Sequence, residues 1–240
     1  MTDVPQVDVI IVTWNRPKEV AETFNSLREN LRYPNLHFII ADGHSEPSVQ
    51  DFMRRELEGA EIVVPPRRGG WGADVNLALR RSQALYVFMI EDDYPLLRPI
   101  DLMPAVRVLG GRKEIGMVRY RALAGHDLTC RLREAHIDGD TYQVWQILRS
   151  SAFLFCYTHG PHLKHRRFHE HYGLYAEGLM LGDTEVEMCW RWKKNPGPAI
   201  VAFPEFVMPT WFGSIGHSRQ LSDTDIGITL PEWNKEIPRY

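Results

Sequence analysis

Three carboxylates stand in a row in FMIEDDYP, where Glu91, Asp92 and Asp93 close an apolar run. Adjacent like charges repel, so at a strand end they require solvent, basic partners or a bound cation to neutralise them. Magnesium and manganese suit such a place, because they keep several waters and take one or two carboxylates plus phosphate oxygens. The alternative is a solvated acidic turn that caps a helix at Pro95.

The surrounding runs decide where these carboxylates stand. VDVIIV, Val7 to Val12, is a β-branched run suited to a strand buried on both faces. In NRPKEVAETFNSLRENL the period changes: Val20, Phe24, Leu27 and Leu31 recur at helical spacing, Pro17 fits a first turn and Asn15 is expected to cap it. LHFIIA is a second buried strand that ends at Asp42, which predicts a βαβ unit with parallel pairing and a right-handed crossover. The logic repeats in EIVVP as strand, RRGGWG as loop, ADVNLALRRSQA as helix and LYVFMI as strand. Thr13, Trp14, Asp42 and the EDD triplet then share the rim formed by the carboxyl ends of neighbouring parallel strands, where open α/β sheets bind ligands.

Beyond about Pro99, DLMPAVRVLGG reads as a helix, EIGMVRYRAL as a strand and HDLTCRLREAHIDGDTYQVWQI as a hairpin or irregular insertion. THGPHLKHRRFHEHYG sets Lys164, Arg166 and Arg167 among histidines whose spacing fits no standard metal site. It is expected to be a solvated basic loop, or an acceptor surface that favours an anionic polymer such as nucleic acid. LMLGDTEVEMCWRWKKNPG predicts a helix, with Lys193, Lys194 and Gly197 at its end. No linker, repeat or low-complexity segment interrupts the chain. One domain over residues 1–240 is expected, with a nucleotide half over about 1–99 and an acceptor half and tail over about 100–240.

A formal net charge of -3 gives no overall attraction to nucleic acid or anionic lipid, so any polyanion site must be local. Cys130, Cys156 and Cys189 lie far apart with no CxxC spacing, and a reducing, cytoplasmic compartment is the simplest expectation. The N-terminal apolar run has no basic flank and is too short to span a bilayer.

Taken in order, VDVIIVTWNRP, IIADGHS, RRGGWGADVN, YVFMIEDD and GDTEVEMCWRW resemble the blocks of the inverting, GT-A-fold glycosyltransferases of family two, from about Val7 to about His217. The resemblance implies an α/β fold with a mostly parallel central sheet flanked by helices, a nucleotide-diphospho-sugar donor, a divalent cation (Mn2+ or Mg2+) and an acceptor hydroxyl. Position by position, it puts Thr13, Trp14, Asn15 and Arg16 on the wall that holds base and ribose, with Asp42 contacting one of them. Asp-Gly-His-Ser stands where the family commonly has Asp-Asp-Gly-Ser, so a second acidic contact is missing. The triplet matches a DxD-like motif with Glu91 first, Asp92 on the nucleotide side and Asp93 as direct metal ligand. His217 in GSIGHSRQ matches a further metal or diphosphate contact, with Arg219 nearby, and Asn76 matches a nucleotide-side position, the alternative being a helix-surface asparagine. Asp183 falls where the family places its catalytic base, as Gly-Asp instead of Glu-Asp.

The Asp183 role also makes chemical sense alone, since displacement at an anomeric carbon needs a base for the acceptor hydroxyl. A helix N-cap is the other role open to it. Gly69, Gly70 and Gly72 do not form a GxxxxGK[ST] loop and suit a tight turn and close packing. Trp190, Trp192, Trp211 and Phe212 suit either a sugar-stacking wall or the core. Two rivals stand beside the transferase reading. A sugar nucleotidyltransferase is disfavoured because VTWNRP lacks a glycine run after the first strand. A non-catalytic nucleotide-sugar-binding module is disfavoured because binding needs no base.

Overall fold

Seven consecutive buried residues, Val7–Thr13, form the first strand, β1. Its side chains alternate between two apolar layers, as a pleated strand covered on both faces must. Val7, Val9 and Ile11 pack in one layer with Val20, Phe24 and Leu27 of α1 (Pro17–Asn30), and Ile10 and Val12 in the other with Val75 and Ala78. Phe24 is fully buried and meets Phe38 edge-on, with ring centroids 5.2 Å apart. Its truncation to alanine should cost about 3–5 kcal/mol.

The computed structural model describes residues 4–120, 128–151 and 156–204. After α1 come a two-residue strand β2 (Leu31–Arg32), β3 (Leu36–Asp42), α2 (Pro47–Glu56), β4 (Ala60–Val63), α3 (Trp71–Arg81) and β5 (Tyr86–Glu91). The chain continues through β6 (Ile100–Asp101), α4 (Met103–Gly111), β7 (Ile115–Arg119), β8 (Cys130–Ile137) and β9 (Asp140–Ile147). Last come β10 (His162–His165), α5 (Arg167–Tyr172), α6 (Leu181–Lys194) and β11 (Ala199–Ala202). Nine strands make one sheet in the order β4-β3-β1-β5-β10-β7-β11-β9-β8. β4, β3, β1 and β5 are mutually parallel, so Thr13, Asp42 and Glu91 end side by side. The sheet is mixed beyond β5, where β10 runs antiparallel to both β5 and β7.

The expected βαβ units, the helix over Met103–Gly111 and the helix within LMLGDTEVEMCWRWKKNPG are present. Within the segment expected as a hairpin or irregular insertion, β8 and β9 form a hairpin, whose two-residue Asp138-Gly139 turn has both residues at positive φ (50° and 87°). That backbone matches the twist of the paired strands. Two readings are corrected. Asn15 does not cap α1: its own φ is 52°, and its carboxamide oxygen accepts from the Glu46 amide. The His-rich basic segment is not a solvated loop, because its middle is β10, inserted between β5 and β7.

Candidate active site

The parallel strands bring the carboxylates to one rim, and short polar side chains fix them there. Asp92 is buried; Thr13 Oγ1 donates to its carboxylate at 2.7 Å, Arg16 Nη1 at 2.6 Å, and Thr23 Oγ1 donates to its main-chain oxygen at 2.6 Å. Burial pushes the Asp92 carboxyl up to about 6, against the lowering pull of Thr13 and Arg16. Asp92 is thus the tie between the loop after β1 and the loop after β5. Arg16 reaches Asp93 as well, with Nη1 3.6 Å from Oδ2. Asp93 is 4% exposed, so the triplet is not a solvated acidic turn.

Asp42, fully buried at the end of β3, accepts from both the amide and the hydroxyl of Ser45, and its carboxyl is raised by burial. Ser45 Oγ in turn accepts from the Asn15 amide at 2.8 Å. The Arg68 guanidinium lies over the Trp14 ring, Cζ 3.2 Å from its centroid. On α3, Asp74 is 6% exposed and its carboxyl is pushed up to about 7, mainly by burial.

Asn76 is engaged by main chain. Its carboxamide donates to the Tyr175 carbonyl at 2.9 Å and accepts from the Tyr175 amide at 3.0 Å, which clamps the 175–177 loop onto α3. Gly72 permits that approach, since a Cβ there would come within 2.2 Å of the Ala176 carbonyl oxygen. The same loop carries Tyr175 against Trp71 (centroids 5.1 Å apart), and Trp71 stacks on the buried His159 ring at 3.6 Å and 17°. The His159 amide donates to Glu185 on α6 at 2.8 Å. Asp183 lies two residues earlier, half-buried in the first turn of α6, where its charge suits the positive helix end. The cap position belongs to Met180, not to Asp183.

Lys164, Arg166 and Arg167 are corrected as acceptor-surface residues. β10 pairs His162 with Met89 and His165 with Tyr86, so these cations lie toward the start of β5. The five residue steps from Tyr86 to Glu91 span about 16 Å. Arg166 Nη2 donates to the Ser82 carbonyl at 2.6 Å, and Arg167 Nη1 to the carbonyls of Leu109 and Ile115 at 2.8 and 2.9 Å. Lys164 is 1% exposed, and its amine donates to His169 Nε2 and to the Tyr175 hydroxyl. His169 Nδ1 meets the Gly173 carbonyl at 3.0 Å, so it carries the proton and Nε2 accepts. A cavity of about 220 Å3 opens at this end beside Lys164, His165 and His169.

His217, Arg219, Trp211 and Phe212 lie outside the described residues. Trp192 belongs to the core, its indole donating to the Pro198 carbonyl at 3.2 Å. Sequence reasoning missed Arg68, Asp74, Trp71, His159 and Glu185. Arg68 and Trp71 stood in the RRGGWG loop as a visible signal, whereas Asp74 reads as an ordinary helix residue until its burial is known.

Among the described residues no three His, Cys, Asp or Glu side chains are grouped to hold a metal. A magnesium- or manganese-type site does not require three, and Glu91 with Asp93 fits the one or two carboxylates such a cation takes beside phosphate. No helix of the described residues is long and apolar enough to cross a membrane, and the three cysteines are free thiols.

A parallel-strand rim of this kind in a mixed sheet with helices on both faces is the architecture of the GT-A glycosyltransferases. Residues 8–120 match the family model described as Glycosyl transferase family 2. Residues 8–120 are thus similar to the family-two glycosyltransferases, and the fold of the chain is that of its GT-A neighbours. Among solved structures it is similar to the mannosyltransferase PcManGT from Pyrobaculum calidifontis in complex with GDP-Man and Mn2+ (TM-score 0.61, 20% identity, 85% of this chain and 56% of that one). It is also similar to S. aureus TarS 1–349 (0.59, 12%, 86% and 59%) and to GalNAc-T7 with UDP, GalNAc and Mn2+ (0.59, 12%, 85% and 43%). The chain thus spans less than two thirds of each of these. No curated protein matches the sequence.

Proposed function

We propose that this chain is a metal-dependent, inverting glycosyltransferase that moves a sugar from a nucleotide-diphosphate donor to an acceptor hydroxyl. The observation that carries this reading is the rim itself: Thr13 and Arg16 lock Asp92, which leaves Asp93 and Glu91 beside it at the end of a central parallel strand. Those two side chains would hold the cation, with His217 a further candidate. The cation, when bound, neutralises charge on the diphosphate. Trp14 and Asp42 flank the base and ribose, and Arg16 keeps the adjacent carboxylates from repelling one another.

Asp183 accepts the proton of the acceptor hydroxyl, whose oxygen forms a bond to the anomeric carbon as the bond from that carbon to the diphosphate oxygen breaks. Attack from the opposite face inverts the configuration. Trp71, stacked on His159, offers an apolar wall between Asp183's helix and α3. An anionic acceptor finds no support here, because the cations that suggested it are bonded inward at the other end of the sheet. The experiment is incubation of the chain with Mn2+ or Mg2+ and a panel of nucleotide sugars, with diphosphate release and anomeric configuration read by NMR. Metal-dependent release with an inverted product is expected; a retained configuration would sink the displacement mechanism, and sugar-1-phosphate activation would favour the nucleotidyltransferase.

A further inference from the structure

Asp74 has a setting that the catalytic proposal leaves unused. It lies in the first turn of α3 at 6% exposure, and its Oδ1 is buried without a hydrogen-bond partner. It borders the base pocket: a Cβ on Gly43, the residue after Asp42, would come 2.8 Å from Asp74 Oδ2 and 3.3 Å from Trp14 Cβ. Arg68, whose charge acts on Asp74, covers the Trp14 ring, and its Nε and Nη1 are likewise buried without hydrogen-bond partners. Asp42 is differently placed, since Ser45 already donates to it twice. The site therefore offers one carboxylate with acceptor capacity left over and one guanidinium, stacked on the Trp14 ring, with donors left over. Buried polar groups of this kind are costly unless a ligand completes them.

Only one common base answers both. Guanine carries two adjacent donors, N1–H and N2–H, which suit a carboxylate, and two adjacent acceptors, O6 and N7, which suit a guanidinium. Uracil has a single N–H between two carbonyl oxygens, so one carbonyl would face the carboxylate. Cytosine and adenine set a ring-nitrogen acceptor beside their amino group, with the same result. We propose that the donor nucleotide is a guanosine diphosphate sugar, and that Asp74 is the specificity-determining residue that accepts from the guanine N1–H and N2–H while Arg68 donates to its other edge. This rests on the reading of the rim as a nucleotide-diphosphate site.

Proton linkage sharpens the test. The groups that act on Asp74 are Arg68 from the loop after β4, Asp42 from β3 and Glu177 from the loop before α6; only Arg68 favours the ionised form. With its carboxyl pushed up to about 7, Asp74 must lose a proton to accept from guanine. Affinity for GDP then rises with pH through about 6 to 8, whereas a pyrimidine bound through the protonated acid would show the opposite slope.

The experiment is calorimetric titration of the chain with GDP, UDP, ADP and CDP in the presence of Mn2+, across that pH range, repeated on Asp74→Asn. GDP is expected to bind about tenfold to a hundredfold more tightly than the others, the usual worth of one bidentate base contact. Asp74→Asn should remove both that preference and the pH slope while keeping metal-dependent diphosphate binding. Metal-dependent binding of UDP, ADP or CDP as tight as that of GDP, or a GDP preference that survives in Asp74→Asn, would overturn the guanine proposal and leave the transferase reading standing. Failure of every nucleoside diphosphate to bind would overturn both.

Discussion

The two ends of β5 carry charge in equal density and use it in opposite ways. At the carboxyl end Asp92 is locked by Thr13 and Arg16, which presents Asp93 and Glu91 at the rim. At the amino end Arg166 and Arg167 donate to main-chain carbonyls, and Lys164 lies among the rings of Tyr157, Phe168 and Tyr175. Arg167 closes the carboxyl end of α4, where the Leu109 carbonyl has no partner within the helix. A cluster of cations is therefore no sign of a binding surface until the acceptors of its hydrogen bonds are known. Parallel strands leave ligand-facing loops at one end, which is where the proposed function puts the chemistry, while the cations at the other end hold the scaffold.

This contrast breaks down if substitutions at the rim cost stability and those at the base cost chemistry. Asp183→Asn should bring the largest change, lowering transfer by about two to four orders of magnitude with nucleotide binding retained, as single-turnover kinetics would show. Asp93→Asn should come next. Mn2+ with a nucleoside diphosphate at about a hundredfold over its Kd should stabilise the wild-type chain by about 2.7 kcal/mol, and that gain should vanish in the variant and in chelator. Persistence of the gain in Asp93→Asn would remove this residue from the metal site.

The base of the sheet should respond the other way. Arg167→Met keeps the aliphatic stem but strands the Leu109 and Ile115 carbonyls, so it should lower unfolding free energy by about 1–3 kcal/mol while transfer per folded molecule is unchanged. A drop in kcat without a drop in stability would place Arg167 in the chemistry. Lys164→Met should show the smallest net change near neutral pH, and its signature is a slope. Burial holds the Lys164 amine well below its usual range, so the unfolded chain binds a proton that the fold excludes. Stability of the wild type should then rise with pH from the folded value towards about 10.4, by at most about 1.4 kcal/mol per unit, and the methionine variant should lose that component. Denaturant titrations between about pH 7 and 9.5 would read it, and parallel curves for the two proteins would refute the buried neutral amine.

Much of the nucleotide half was legible because its signals are local. VDVIIV and LHFIIA are mostly apolar runs rich in β-branched residues, the helix between them repeats its apolar residues at one face, and together they fix parallel order and the rim on which Asp42 and Glu91 stand. The hairpin stood as one of two readings of its segment, and the Asp138-Gly139 turn is the local signal that favours it. Asp74, by contrast, reads as a polar residue in an ordinary helix, because nothing within four residues records that Gly43, Arg68 and Trp14 close over it. Asn76 was assigned to the nucleotide for want of the Tyr175 main chain, 99 residues away, that it bonds.

By itself the sequence determined the order of strands and helices around β1 and the rim position of the EDD triplet, and it left Asp183 open between a base and a helix cap, since periodicity and turn residues act over a few neighbours. Tertiary structure alone decided that HLKH is a strand within the sheet and that its lysine is buried. It also decided which carboxylate is locked and which polar atoms of Asp74 and Arg68 are buried without hydrogen-bond partners. The reason is that β10 has only four residues, with too short an apolar run to announce itself. Its place depends on pairing with β5 and β7, and Lys164 tolerates burial only because His169 and Tyr175 stand where its protons point.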